Sequence, residues 1–408
     1  MTKGGPPVER KLASRVKQLK PSATLAINAK AKSLKAKGVD LVNLSAGEPD
    51  FDTPDHIKEA AIKAIREGFT RYTPVAGIPE LREAVAAQIK KDYGLDYQAE
   101  EVIVTCGAKQ ALFNLAQALF EPGDEVLVLA PYWVSYPPII ELSGARPVIV
   151  PSSLEKDYEP DPAALREALS PKTRGIILNS PSNPTGQIYS RRFLQEVAEI
   201  CRENGLWVIS DDIYDKLRFD GKGPENILTV APELKEQTIL VNGVSKTYAM
   251  TGWRIGWALG PKEVIGALAR IQGQSTSNAT SVAQKAALEA LKGPQDCVAE
   301  MCAAFKQRAK LLYQGLSEIP GLRLPEPKGT FYALVDFSAY YGRKTPSGQE
   351  INDSLAMCDY LLEEARVATV PGVAFGEDRA LRISFANAEE EIEKGISRIK
   401  EALEKLSA

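Results

Sequence analysis

The sequence contains a single histidine, His56, and that scarcity is the first constraint on its chemistry. A His-rich metal site is excluded, and any Ser-His-Asp or Cys-His mechanism would depend on one side chain. Cysteine is sparse as well, with five residues scattered without the paired spacing of a zinc or CxxC redox centre. Unpaired thiols of this kind are usual in a reducing compartment, so a cytoplasmic protein is expected. No apolar run approaches the ~20 residues of a membrane-spanning helix, and the opening MTKGGPPVERK lacks the apolar stretch of a secretory signal. Its basic residues (Lys3, Arg10, Lys11, Arg15, Lys17) share only their charge with a transit peptide, because the segment is neither Ser-rich nor long. Neither sign of charge dominates the whole chain: 50 basic residues face 53 acidic ones, a net charge of −3. That balance provides no electrostatic footprint for nucleic acid or an anionic membrane.

What is present is ordinary globular composition, 44% apolar and 25% charged, which argues against disorder. At 408 residues the chain exceeds a single domain of about 100–200 residues, so a large unit with a smaller one is expected. From residue 100 onward, short runs rich in Val, Ile and Leu (EEVIVT, DEVLVLA, ARPVIVP, RGIILNS, LWVISD, TILVNGVS) alternate with helical segments such as AKQALFNLAQAL and RRFLQEVAEICRENG. This alternation predicts an α/β layer whose mainly parallel sheet is covered on both faces. After WRIGWALGPKEVIGALARI the pattern changes to a long helix over about 295–318, FYALVDF, a helix near 352–365, VATVPG, LRISFA and a terminal helix from 388. The first 45 residues look polar and irregular. Divisions therefore fall near 45 and 295: an arm with part of a small domain (1–45), a large domain (46–295) and a small C-terminal α+β domain (296–408).

In open parallel sheets ligands bind beyond the carboxyl ends of the strands, so the residues following each strand were read for chemistry. Cys106-Gly107-Ala108-Lys109 follows EEVIVT and opens a helix, a turn whose small residues expose N–H groups to an anion. The same turn also serves as a plain strand–helix connection, and Cys106 reads more readily as a small core residue than as an activated thiolate. GxGxxG and GxxxxGK[ST] are both absent, which weakens dinucleotide and nucleoside-triphosphate readings. Pro181-Ser182-Asn183-Pro184-Thr185-Gly186 follows RGIILNS and holds an amide, Asn183, at the sheet edge. Asp211-Asp212-Ile213-Tyr214 follows LWVIS, and one of its carboxylates can be a helix cap. Ser245-Lys246 follows TILVNGV, and Arg254 enters the next strand. A lone lysine after a strand is usually solvated. At the mouth of a buried sheet it would lose solvent, which lowers its pKa and frees a nucleophilic amine. Together these groups meet the demands of pyridoxal 5′-phosphate (PLP). Gly107, Ser245 and Arg254 suit its phosphate, Asp211 its pyridinium, Asn183 and Tyr214 its ring hydroxyl, and Trp133 of APYW its ring face.

The chain resembles the class I aminotransferases of PLP fold type I, in particular their bacterial aspartate aminotransferase branch. The resemblance runs through KPSATLAINAKA, SAGEPDF, YTPVAGIPELREA, NSPSNPTG, SDDIY, SKTYAMTGWRIG and LRISFA, in the family's order and across almost the whole chain. It implies a large domain with a mainly parallel seven-stranded sheet, a small domain built from both termini, and a homodimer with shared sites. It also implies site roles. Lys246 would be the Schiff-base lysine and catalytic base, Asp211 the partner of the ring nitrogen, and Asn183 and Tyr214 the partners of the ring hydroxyl. Trp133 would stack on the ring. Gly107, Ala108, Lys109, Ser245 and Arg254 would surround the phosphate, with Tyr72 reaching it from the other subunit. Arg382 would clamp the substrate α-carboxylate with Asn183 and the backbone of Gly47, and Lys109 would meet the distal carboxylate of an acidic substrate. CGAK in place of a more glycine-rich turn, and SDDIY in place of SDEIY, leave these roles intact.

The activity so implied is ping-pong transfer of an amino group, with aspartate and 2-oxoglutarate the expected pair and no metal required. Aromatic amino acids or prephenate are alternative substrates, and a C–S β-lyase would use the same residues with a different leaving group. A transcription regulator would need a DNA-binding module, for which the reading has no sign. In LRISFA the apolar residues Leu381, Ile383 and Phe385 alternate with Arg382 and Ser384, so Arg382 is expected to face away from the apolar side, as a solvent-facing strand arginine also would.

Overall fold

Strands made almost entirely of Val, Ile and Leu build the central layer, as they do when both faces of a sheet are buried. The structure is a computed structural model that describes residues 11–19 and 23–407. Lys3 and Arg10 of the basic opening and the first residues of KPSATLAINAKA lie outside the described residues. In chain order the strands are β1 (Val42–Asn43), β2 (Val102–Thr105), β3 (Glu125–Leu129), β4 (Arg146–Val150), β5 (Thr173–Asn179), β6 (Trp207–Asp211), β7 (Thr238–Gly243), β8 (Gly256–Leu259), β9 (Tyr332–Asp336), β10 (Val367–Ala368), β11 (Val370–Pro371) and β12 (Ala380–Ser384).

Strands β2 to β8 form one seven-stranded sheet in the order β2-β8-β7-β6-β5-β3-β4. Only β8 runs antiparallel to its neighbours, so the sheet is mainly parallel, as expected. Successive residues point to opposite faces. Leu127, Ile176, Val208 and Leu240 enter the core on one side, while Val128, Ile177, Ile209 and Val241 enter the core on the other. Each such side chain contributes about 1.5–3 kcal/mol by leaving water. Register then positions chemistry: Asn179 pairs with Asp211 and Asp211 with Val241, so β5, β6 and β7 end side by side.

Helices cover the sheet, bounded by local caps. Helix Arg191–Asn204 starts where the Ser190 hydroxyl accepts from Phe193 N–H, and it stops at Gly205, whose φ of 60° is left-handed. A third core lies beyond the sheet, around Phe305, Leu312, Phe331, Val335, Leu381 and Phe385. It unites the antiparallel β11-β12-β9 sheet with helices Asp296–Ser317 and Glu389–Glu404. Ile213, Tyr214 and Leu217, just after β6, belong to this core too, so the strand ends of the large sheet face it directly.

Two expectations need correction. The N-terminal stretch is not irregular: it contains helix Ala23–Ala36, and β1 pairs in parallel with β10. Its lysines disguise an apolar face on which Ile27, Ala31 and Leu34 pack with Leu41, Leu362 and Ala368. The helix expected near 352–365 is shorter, Ser354–Tyr360, and continues as a wide π turn to Ala365. Among the described residues no helix is long and apolar enough to cross a membrane.

Candidate active site

The turn after β2 is shaped by close approach. Gly107 has a φ of 81°, and a Cβ there would collide with the Arg254 guanidinium. A Cβ on Gly256 of β8 would likewise strike the Ala108 backbone, so the strand lies tight beneath the turn. Arg254, itself left-handed at φ 56°, is held over the turn by bonds from Nη1 to Thr251 O (2.9 Å) and from Nη2 to Cys106 O (3.4 Å). Helix Ala108–Leu119 begins at this point, so its free N–H groups and the Arg254 cation converge on one spot, a ready anion site. Lys109 stands at the mouth with Nζ 4.8 Å from the Trp133 ring centre. Loss of solvent, and then the Arg254 charge, lower its pKa. Cys106 packs against the apolar core beneath the turn.

Asp211 at the end of β6 is buried, and its two oxygens differ. Oδ2 accepts the Tyr136 hydroxyl at 2.6 Å, while Oδ1 is buried with no partner. Asn179 at the end of β5 fixes the Asp211 main chain, donating from Nδ2 to its carbonyl at 2.8 Å. Burial pushes the Asp211 carboxyl up to about 6, with Tyr136, the Ile213 N–H and Lys246 holding it from rising further. An unpaired buried acceptor costs about 1–3 kcal/mol, more when charged, so Oδ1 awaits a donor from a bound molecule.

Lys246 leaves β7 and points into the same space. Its Nζ donates to Gly47 O at 2.6 Å and stands 5.7 Å from the Phe331 ring centre and 6.0 Å from that of Tyr214. Burial lowers its pKa to about 8. Glu48 opposes that shift, and the Arg382 and Arg254 charges add to it. The solvated-loop reading of this lysine does not hold.

Arg382 does not face solvent either. All of β12 is buried and Arg382 is only 2% exposed, because this small sheet is covered on the face opposite Leu381 and Ile383 as well. Its guanidinium lies between the Tyr332 ring (4.3 Å) and the Phe375 ring (5.1 Å). Nη1 donates to Asn183 Oδ1 at 3.1 Å and Nη2 to Ser45 O at 3.0 Å, while Nε has no partner. Asn183 is thereby oriented, since its N–H also donates to Asn179 Oδ1 at 2.9 Å, and its amide NH₂ remains to donate. Tyr214 donates to the Tyr332 hydroxyl at 3.3 Å.

These groups meet in one cavity of about 290 Å³, lined by Gly47, Ala108, Lys109, Trp133, Asn183, Asp211, Tyr214, Ser245, Lys246, Arg254 and Arg382. Gly107 shapes the turn behind it. Tyr72 does not enter the cavity of its own chain and is 90% exposed. The sequence reading missed Asn179, Tyr136 and Tyr332, which also line the cavity. Asn179 ends an apolar strand just as Asp211 does, and that position was the available signal. Tyr136 and Tyr332 sit in apolar surroundings and read as core.

A mainly parallel sheet whose strand ends present an anion turn, a buried lysine and a buried carboxylate is the frame of the class I and II aminotransferases. Residues 39–399 match the family described as aminotransferase class I and II, and the chain belongs to that family of PLP-dependent enzymes. It is 46% identical over 397 residues to an aspartate aminotransferase of Geobacillus stearothermophilus, covering 97% of this chain and 99% of that one. A probable aspartate/prephenate aminotransferase of Rickettsia bellii is 46% identical over 392 residues, 96% of this chain and 98% of the relative. The solved aspartate aminotransferase of Thermus thermophilus with maleate superposes with a TM-score of 0.90 at 45% identity, covering 97% of this chain and all of the other.

Proposed function

We propose that this aminotransferase binds PLP at Lys246 and exchanges the amino group of L-aspartate with 2-oxoglutarate, yielding oxaloacetate and L-glutamate. The observation that carries the cofactor assignment is the unpaired, buried Oδ1 of Asp211, set in one cavity with a lysine of lowered pKa and an anion-binding turn. PLP fits this donor set: the turn at Gly107, the main-chain N–H groups of Ala108 and Lys109, and the Ser245 and Arg254 side chains would hold the phosphate, and Trp133 would cover the ring face. Asp211 Oδ1 would take the ring N–H, and Tyr214 with the Asn183 amide would donate to the ring hydroxyl. When bound, PLP supplies a carbonyl carbon that condenses with amines and a ring that accepts electron density.

The side chains then divide the labour. Asp211, pinned through Tyr136 and Asn179, would hold a proton on the ring nitrogen. Arg382 offers its unpaired N–H edge to the substrate α-carboxylate, beside Asn183 and the backbone of Gly47. With PLP bound, Lys246 Nζ would be the base that takes up the substrate α-proton and returns it, a role that its lowered pKa favours. The two half-reactions share the site in turn, so ping-pong kinetics follow. The Lys109 side chain, set against Trp133 at the mouth, would meet the distal carboxylate of aspartate or glutamate. The Thermus thermophilus aspartate aminotransferase was solved with maleate, a dicarboxylate of the same carbon count as aspartate, which supports an acidic substrate.

The working unit is a homodimer in which Tyr72 of a second copy reaches the phosphate, consistent with its exposure. The division into 1–45, 46–295 and 296–408 accompanies this reading, supported by the separate core around Phe305 and Phe385. The test is a steady-state panel of aspartate, glutamate, phenylalanine and tyrosine as donors to 2-oxoglutarate, with aspartate expected to lead. The name of the Rickettsia relative favours one second reading, prephenate as an amino acceptor, and an arm with aspartate and prephenate decides it. Pyruvate formed from cysteine conjugates without an acceptor would indicate a β-lyase instead.

A further inference from the structure

Segment 69–78 has no regular structure, yet its polar groups are anchored from one side. Gln284, fully buried on helix Ser281–Lys292, accepts Ile78 N–H at 2.8 Å. It donates to Thr73 Oγ1 at 3.0 Å and to Ala279 O at 2.7 Å. Gln272, fully buried on helix Lys262–Ser275, donates to Val75 O and to Val104 O, both at 2.8 Å. Val104 N–H donates to Ala76 O at 2.9 Å, and the Ser281 hydroxyl to Phe69 O at 2.9 Å. Gly77, at φ 98°, leaves no room for a Cβ beside Val104. At the tip of this anchored segment Tyr72 is 90% exposed, and its hydroxyl has no hydrogen-bond partner among the described residues.

Burying two amide side chains costs free energy unless every donor and acceptor is paired. Here half of that pairing, to Thr73, Val75 and Ile78, is directed at one loop whose tip residue, Tyr72, stands exposed. An ordinary surface loop needs no such anchoring. A loop that must present an aromatic residue to another molecule gains from it, because the ordering is completed before association. The anchor also rests on Val104 of β2, the strand that runs into the Gly107 turn, so the tip of one copy and the anion turn of that same copy share a rigid base. In a two-fold assembly both sites then inherit the same geometry.

We propose that Gln284 and Gln272 are positioning residues that pre-organise segment 69–78, so that Tyr72 is delivered to the cofactor phosphate of a second copy. The proposal rests on the role given to Tyr72 above, and a double-mutant cycle separates the two claims. PLP is titrated into the cofactor-free full-length protein and its dissociation constant is read from visible absorbance. The variants are Tyr72→Phe, Gln284→Met, Thr73→Val and each of the last two combined with Tyr72→Phe. Thr73→Val removes the loop end of one anchor without touching the core, so it carries the comparison if Gln284→Met fails to fold. Loss of one such bond is expected to weaken PLP binding about fivefold in the Tyr72 protein and to add nothing once Tyr72 is Phe. Equal weakening in both backgrounds would mean that the glutamine serves only the fold, and the proposal is overturned. No weakening by either anchor variant, where Tyr72→Phe does weaken binding, overturns it as well. Unchanged binding in Tyr72→Phe alone overturns the role of Tyr72, and the proposal with it.

Discussion

Arg382→Lys should weaken every amino acid substrate to a similar degree, because all of them present the same α-carboxylate. The guanidinium spans two acceptors at once, Asn183 Oδ1 at 3.1 Å and Ser45 O at 3.0 Å. A lysine ammonium is a point charge that cannot present parallel N–H bonds to a carboxylate while holding both acceptors. The variant also loses the cation–π contacts of the guanidinium with the Tyr332 and Phe375 rings, worth about 0.5–2 kcal/mol per ring. That loss falls on the resting protein and should appear as a lower Tm. Toward substrate, one charge-assisted bond is forfeited, about 1.5–3 kcal/mol, or about 10–150-fold in kcat/KM. The assay is kcat/KM for aspartate, glutamate and phenylalanine with 2-oxoglutarate as acceptor, on protein shown to be folded by its thermal transition. A kcat/KM within about twofold of the parent, or a loss confined to the acidic donors, would refute the assignment.

Lys109→Ser should lose most activity toward aspartate and glutamate, roughly 30–1000-fold in kcat/KM for a desolvated charge pair, and change far less with phenylalanine; equal losses would return Lys109 to the phosphate or the fold. Asp215, whose Oδ2 accepts from both the Tyr93 hydroxyl and the Asn242 amide at 2.9 Å, is pushed by burial up to about 6. Its folded pKa lies above the unfolded value of 3.8, so its contribution to stability is complete below 3.8 and is lost as pH rises through 6. Asp215→Asn keeps an acceptor oxygen for both partners, so the parent should lose up to about 3 kcal/mol relative to the variant between pH 3.5 and pH 7. Parallel denaturation curves across that window would contradict the buried-charge argument. Mixing Lys246→Ala protein with a Tyr72 variant should restore activity through hybrid dimers, and no recovery after verified subunit exchange counts against a shared site.

The strand-end residues were legible in the sequence because Asn183, Asp211 and Lys246 each follow an apolar run closely and Arg254 directly precedes one: all four lie where the sheet opens. The parallel layer was legible for the same reason, since runs such as RGIILNS can be covered on both faces only in an α/β layer. Arg382 was found, but not what buries it. Alternation in LRISFA describes one face of a strand and says nothing about Tyr332 and Phe375, which come from distant segments to bury the other. Tyr136 and Tyr332 escaped because an aromatic residue among apolar neighbours looks like core until its hydroxyl is seen to reach Asp211 or Tyr214. The N-terminal helix was hidden by its own lysines, whose charges mask the Ile27, Ala31 and Leu34 stripe.

The central claim is that a single lysine, Lys246, would form the covalent link to PLP, with Asp211 accepting from its ring N–H. Full-length protein loaded with PLP should be yellow, and borohydride should bleach the colour while fixing the cofactor to the chain. Digestion and peptide mapping should then place one label per chain on Lys246, in the peptide that contains SKTYAMTGW, and Lys246→Ala should take up none. A label on Lys109 or any other lysine, or a fixed cofactor in Lys246→Ala, would contradict the account.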